Sequence, residues 1–451
     1  MRLFQTLRFS FVALVVGASP PAIDAANWTI NRVNHVVLTP PGGVTVDQMS
    51  GVTYLGLVEG KHRFAAVQET RSELIGFDVT FDAAGAIAGV SNIAPIPISP
   101  LEIGEDFEGI AYTNPTRNSV FLSDEDALGA GDRLGVREVS LATGAELQAV
   151  TIPAVFSNRR PNRGFESLTR SPDGSIMWTS NEQSLTVDGP MSTPSVGTDV
   201  RLLQLNAAGD AFTAGPQYAY QVEPIHGSNT AGLPQSGLSD LVALPDGALI
   251  TLERSVAAVF AGVVFLNRIY EVDFTGATDI GAGPTAAGLA NQSFTRVGKK
   301  LLWSGAADGA AGQNLEGLTL GPHLANGDWL LLGVVDKDAA DLLSMNTIVA
   351  FTASPVTSAD FNADGVVDGA DFLLWQRGSG KTIGATHQEG DANRDGVVDG
   401  ADLELWKASF SAPPAGGATS AIPEPATGLL SLAAAIAVAA HKKVRRSSRR
   451  T

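Results

Sequence analysis

The sequence predicts an all-β fold: a β-propeller of five or six blades over residues 28–355. A small α module with two calcium loops and a C-terminal hydrophobic helix follow it. Three observations carry this reading. A unit built as polar residue, small or polar residue, apolar residue, gap, short apolar run and then acid begins at Ser50, Glu108, Glu166, Ser239 and Glu316. Glycine (49) and proline (24) are both abundant in the 451 residues, which favours many turns and short strands over long helices. Two stretches, 360–371 and 391–402, carry oxygen side chains at the spacing of a calcium loop.

The elements follow in chain order. Residues 1–25 have the build of a signal peptide: Arg2 and Arg8, then the apolar stretch Phe9 to Ala18, then small residues around Ala22 and Ala25. The repeat comes next. Ser50-Gly51-Val52-Thr53 precedes Phe64 to Val67 and Glu69; Glu108-Gly109-Ile110 precedes Val120-Phe121-Leu122 and Asp124; Glu166-Ser167-Leu168 precedes Ile176-Met177-Trp178 and Glu182. Ser239-Asp240-Leu241 precedes Ala248-Leu249-Ile250 and Glu253; Glu316-Gly317-Leu318 precedes Trp329 to Leu332 and Asp336. Alternating strand-like segments such as Arg201 to Leu205 and Arg268 to Val272 recur between the copies. Repeats of several short strands read as propeller blades, because one blade cannot cover both faces of its own sheet and stacked blades cover one another. Five copies are visible. A sixth blade would be split between Trp28 to Leu38 and Phe294 to Trp303. A large β-sandwich is the rival architecture.

Residues 356–412 form the calcium module. Asp360, Asn362, Asp364, Asp368 and Asp371 stand at loop positions 1, 3, 5, 9 and 12, with Val366 offering its carbonyl at position 7. Asp391, Asn393, Asp395, Val397, Asp399 and Asp402 repeat the pattern. Each loop runs into a helix start containing Trp375 or Trp406, and these two rings are expected to pack between the loop-helices. Two Ca²⁺ ions are expected in this module, with further ions in the propeller. Residues 413–421 form an Ala/Pro/Gly linker. Residues 422–451 carry Ile422-Pro423-Glu424-Pro425, an apolar run to Ala440 and a tail rich in Lys and Arg.

A net charge of −17 argues against nucleic acid as a partner and suits divalent cations. With no cysteine there is no disulfide framework, thiolate zinc site or cysteine nucleophile, and six scattered histidines lack metal-ligand spacing. No Gly-x-Ser-x-Gly occurs around Ser239.

On these residues, three resemblances emerge. Asp106-Phe107-Glu108-Gly109-Ile110, Arg163-Gly164-Phe165-Glu166-Ser167-Leu168, Gly237-Leu238-Ser239-Asp240-Leu241 and Asn314-Leu315-Glu316-Gly317-Leu318 resemble the phytase-like family, the domain of esterase-like activity of phytase, over about 45–352. The two calcium loops, with Asp instead of Glu at position 12, resemble a dockerin module, which implies a cohesin-like or surface partner. Gly369-Ala370 and Gly400-Ala401 offer no polar side chain for such recognition, so a calcium-stabilised spacer is the alternative. The tail resembles a PEP-CTERM sorting signal, which implies exosortase-type machinery, transient membrane anchoring and an exported, envelope or extracellular location.

The repeat predicts that Glu108, Glu166, Asp240 and Glu316 gather as a ring at the channel, where a hard cation would relieve their repulsion and assist ester hydrolysis. Glu69, Asp124, Glu182, Glu253 and Asp336 are expected to form a second acidic rim at the far ends of the same strands. Arg71, Arg163 and Arg254 are candidates to meet an anionic substrate. Two functions compete: a calcium-dependent phosphoester or ester hydrolase, and a non-catalytic ligand- or partner-binding propeller at the cell surface.

Overall fold

The computed structural model describes residues 27–69, 71–98, 106–125, 134–228, 235–259, 262–305, 313–337 and 345–410. The signal-like residues 1–25, the linker 413–421 and the sorting-like tail 422–451 lie outside them. Among the described residues no helix is long and apolar enough to cross a membrane.

Among the described residues, twenty strands form five antiparallel four-stranded sheets. The strand β1 (Trp28–Val37) comes first in the chain, and blade one follows it as β2 (Met49–Val58), β3 (Lys61–Gln68), β4 (Glu73–Phe81) and β5 (Ile87–Pro97). Blade two is β6 (Phe107–Tyr112), β7 (Ser119–Asp124), β8 (Gly135–Ser140) and β9 (Glu146–Val150). Blade three is β10 (Phe165–Arg170), β11 (Ile176–Asn181), β12 (Thr198–Ala208) and β13 (Ala211–Val222). Blade four is β14 (Ser236–Ala243), β15 (Leu249–Val259), β16 (Gly262–Asp273) and β17 (Gly298–Ser304). Blade five is β18 (Leu315–His323), β19 (Trp329–Val335) and β20 (Thr347–Pro355), completed by β1 (Trp28–Val37). The choice between five and six blades resolves to five. Trp28 to Val37 and Gly298 to Ser304 are the outer strands of blades five and four, not halves of a sixth. β1 pairs antiparallel with β20 from Trp28 opposite Pro355 to Val37 opposite Thr347, so the two ends of the propeller sequence close the ring.

The apolar runs of the repeat are strands buried on both faces. Successive side chains point to opposite faces, so Phe121 enters the core shared by blades two and three while Val120 and Leu122 enter the core shared with blade one. Leu331 likewise packs toward blade four, and Leu330 and Leu332 toward blade one. There is one such apolar core at each of the five blade interfaces. The innermost strands β2, β6, β10, β14 and β18 touch in sequence around the axis, β18 meeting β2.

Two helices follow, α1 (Gly369–Gly378) and α2 (Gly400–Ser409), each entered from a calcium-type loop. Their exchange is reciprocal: the Trp375 indole donates to the Asp399 carbonyl and the Trp406 indole to the Asp368 carbonyl, both at 2.9 Å. Leu374, Leu405 and the two Trp rings pack on a small core of Ala359, Phe361 and Ala392. The module is seated on the propeller. Arg394 donates to Asp246 (3.1 Å), to Asn27 (2.8 Å) and to the Val356 carbonyl (3.3 Å), and Asp246 also receives the Trp28 indole at 3.1 Å. Gly396 packs on Pro245 and Gly384 on Asp173. These contacts lie at the β10–β11 and β14–β15 turns, the end of the inner strands away from Glu166 and Ser239.

Candidate metal centre

Every inner strand breaks register with its neighbour at the same place. The shift falls between Met49 and Val52, Phe107 and Ile110, Phe165 and Ser167, Leu238 and Asp240, and Leu315 and Gly317. Such β-bulges insert an unpaired residue and re-aim its side chain. The residues at the break are Ser50, Glu108, Glu166, Ser239 and Glu316. The small residue after them has a second cause. A Cβ on Gly109 would collide with the Leu168 amide of the next blade, and one on Gly317 with the Ser50 carbonyl, so the inner strands approach too closely here for larger side chains.

Antiparallel pairing brings the end of each second strand beside the start of each inner strand. The residue just past β3, β7, β11 and β19 is Glu69, Glu125, Glu182 and Asp336, and its counterpart in blade four is Arg254. The two acidic sets therefore form one centre at one end of the channel, not two rims. Ligand oxygens of Glu69, Glu316 and Asp336, of Glu69, Asp106 and Glu108, and of Glu108, Glu125 and Glu166 lie within 4.8 Å of one another in each group.

Four residues singled out in the sequence fall elsewhere. Asp240 stands one position after the bulge, beside Gly109 and Gly317 in register, and turns away from the cluster. It accepts the Leu318 amide at 2.7 Å and the Leu241 amide at 2.8 Å, with the Leu168 amide as a further partner, so it ties three inner strands together. Asp124 pairs with Arg137 at 2.8 Å, and Glu253 is held by Lys299 (2.7 Å) and the Tyr220 hydroxyl (2.6 Å). Arg71 pairs with Glu73 at 2.7 Å. Sequence reasoning missed Asp106, which immediately precedes β6, and Glu125 and the place of Arg254 within the acids, for which the signal was the position one past the acid that ends their repeat units.

Electrostatics divide the centre in two. Arg254, only 7% exposed, donates to Glu182 (2.7 Å), to Asn314 (3.1 Å) and to Glu316, with Glu166 at 4.0 Å. Burial works against its charge, and the three carboxylates outweigh that and raise its pKa. Arg163 pairs with Glu182 at 3.0 Å. On the other side, no described Lys or Arg pairs with Glu69, Asp106 or Glu108. Ser50 donates to the Glu108 carboxylate, and Gln48 to Glu69 at 3.3 Å. Asp106, 9% exposed, has a buried carboxylate oxygen with no hydrogen-bond donor among the described residues.

Burial, then mutual repulsion, holds Glu69, Glu108 and Glu166 well above the usual carboxylate range. The same causes push Asp106 to about 7 and Glu125 to about 8. This is a donor set of oxygens carrying excess negative charge with one oxygen unsatisfied, which fits a hard divalent cation.

The calcium-type loops present the same chemistry in another form. Gly365 and Gly396, at φ 86° and 81°, make the sharp turn at position 6. Asp360 accepts the Asp364 amide (3.1 Å) and the Gly365 amide (2.8 Å), and Asp391 repeats this with Asp395 (3.2 Å) and Gly396 (2.8 Å). Fully buried Asp371 and Asp402 take the amides of residues 361, 362 and 368 and of 392, 393 and 399, which fixes each loop on its helix. Burial, with Asp395 and Asp402 nearby, raises Asp391 to about 7. The residues present fit calcium in both loops.

Comparison with known proteins agrees with this organisation. The family model for phytase-like proteins, esterase-like activity of phytase, matches residues 44–339, and that of the dockerin type I domain matches 358–411. Dockerin domains bind calcium and cohesin partners. No curated protein matches the chain. Among solved structures, a hypothetical protein from Leishmania major is similar at 12% identity and a TM-score of 0.35, covering 71% of this chain and 90% of that one. An endo-arabinase from Bacteroides thetaiotaomicron is similar at 11% identity and a TM-score of 0.35, covering 69% and 95%. Likenesses at this level carry no functional argument. The family model spans most of the chain, its bounds enclose every bulge and every carboxylate of the channel cluster, and the chain belongs to the phytase-like family, with a dockerin type I domain at its C-terminal side.

Proposed function

We propose that the propeller is a divalent-cation-dependent hydrolase of phosphoesters or related esters, with its centre at the bulge-presented carboxylates. The observation that supports this most is the unpartnered Asp106 oxygen beside Glu69 and Glu108, in a cluster whose only described buried cation, Arg254, is committed to the opposite side. Glu69, Asp106 and Glu108 would hold the cation, with Glu125, Glu166, Glu316 and Asp336 around them. When bound, such a cation polarises an ester oxygen and lowers the pKa of a water. The chain's own groups do the rest. Arg254 keeps Glu166, Glu182 and Glu316 in place. Ser50 orients the Glu108 carboxylate. Arg163, more exposed than Arg254 and paired with Glu182, stands where the anionic part of an ester would enter. Asp240 braces the inner strands without contacting the reacting groups.

The test is hydrolysis of a panel of phosphoesters and carboxylic esters by the full chain with and without calcium and other divalent metals. Glu108→Gln is expected to lower activity by about a hundredfold or more with the fold retained. Inactivity of the wild-type chain across the panel and the metals would sink the reading and leave a ligand-binding propeller.

We assign the remaining parts by the same logic. Residues 1–25 act as an export signal, 28–355 as the propeller domain, 356–412 as the dockerin domain with two calcium ions, 413–421 as a linker and 422–451 as a PEP-CTERM signal for exosortase-type machinery. A phytase-like propeller carrying a dockerin domain suits an extracellular or cell-surface protein. Loop two lies against the propeller through Arg394 and Gly396, so loop one is the side open to a cohesin-like partner.

A further inference from the structure

The inner strands run from the acidic centre to a second opening at the other end of the channel, and its chemistry is the reverse. A pocket of about 280 Å³ lies there, lined among others by Thr53, Tyr54, Tyr112, Thr169, Arg170 and Trp329, and by no Asp or Glu. In a chain of net charge −17 that composition is unusual. What the pocket holds is donors. The Arg170 guanidinium gives one N–H to the Thr113 carbonyl at 2.8 Å, while its Nε has no acceptor among the described residues. The buried Trp329 indole N–H has none either. Thr53 accepts the Tyr112 amide and Thr169 the Ala243 amide, both at 3.0 Å, which leaves each hydroxyl proton to be donated. Asp173, the nearest carboxylate in sequence, accepts from Ser171 (2.6 Å) and Ser175 (2.8 Å); with Glu138 it attracts the guanidinium through space, but it takes none of its N–H groups.

Buried donors without acceptors are costly, and such a set is satisfied by a group rich in acceptors. The apolar floor of Val52, Ile110, Leu168 and Leu318 separates this pocket from the acidic centre and offers contact to a non-polar body. We propose that this pocket is a binding site for a small organic oxyanion, a carboxylate or phosphate-type head on a compact apolar or aromatic body, with Arg170 and Trp329 as its principal donors. It does not depend on the hydrolytic centre, which shares no residue with it.

Calorimetric titration of the full chain with methylphosphonate and with benzoate tests this. Saturable one-to-one binding of either supports the proposal, and the preferred probe identifies the head group. Arg170→Met is expected to weaken binding about tenfold or more. Trp329→Phe, which keeps the ring and removes the N–H, is expected to weaken it several-fold, and Glu108→Gln is expected to leave it unchanged. Absence of binding by both probes at millimolar concentration overturns the proposal. So does unaltered affinity in both pocket variants, or loss of binding in Glu108→Gln, which would place the anion at the metal centre.

Discussion

At the scale of single residues, the centre depends on which side of a strand a carboxylate occupies. Side chains alternate, so a slip of one residue moves a group to the other face. That accounts for what was legible in the sequence. Glu108, Glu166 and Glu316 were readable because a Glu before Gly or Ser recurs at the bulge. Asp240, Asp124 and Glu253 misled by one position each: the matching residues are Ser239, Glu125 and Arg254, and the bulge that sets the offset leaves no mark in composition. Arg254 shows what is at stake. Arg254→Gln should destabilise the metal-free protein by about 3–5 kcal/mol, because three buried carboxylates lose their counter-charge; denaturant melts with and without calcium check this, and calcium is expected to restore part of the loss. Asp240→Ala should cost about 1–3 kcal/mol through orphaned amides, while calcium affinity of the centre stays as in the wild type.

At the scale of elements, the blade repeat serves packing before chemistry. The apolar runs predicted strands, and the strands alternate between two interfaces as expected. The close approach at the bulges was not legible, since Gly after Glu reads equally well as a turn. Gly109→Ala forces a Cβ onto the Leu168 backbone. It should destabilise the fold by about 1–3 kcal/mol, measurable as a lowered urea midpoint, without removing any carboxylate. The fifth blade also explains the misread sixth. Its outer strand comes from the other end of the domain sequence, so no local pattern announces the pairing of Trp28 with Pro355. The dockerin domain was legible because its loop residues are local in sequence. Its docking on Asp246 was not, because it depends on where a turn of blade four ends up.

At the scale of the whole molecule, the propeller keeps opposite chemistries at the two ends of one channel, acids at one and donors at the other, with the dockerin domain seated at the donor end. Charge repulsion at the acidic end links stability to pH. Asp106 and Glu125 have folded-state pKa values raised to about 7 and 8. The metal-free folded state therefore holds protons that the unfolded chain has released. Stability then falls as pH rises from the ordinary carboxylate range, about 4, toward 8, and thermal melts across that window in a chelator should show the decline. Calcium should flatten or reverse it. The central claim is that the bulge-presented carboxylates bind a cation in addition to those of the dockerin loops. Calcium titration of the full chain beside Glu108→Gln tests it most directly. The wild type is expected to bind at least one more ion than the variant, with the loop sites unchanged. Equal stoichiometry and equal affinity in the two proteins would contradict it.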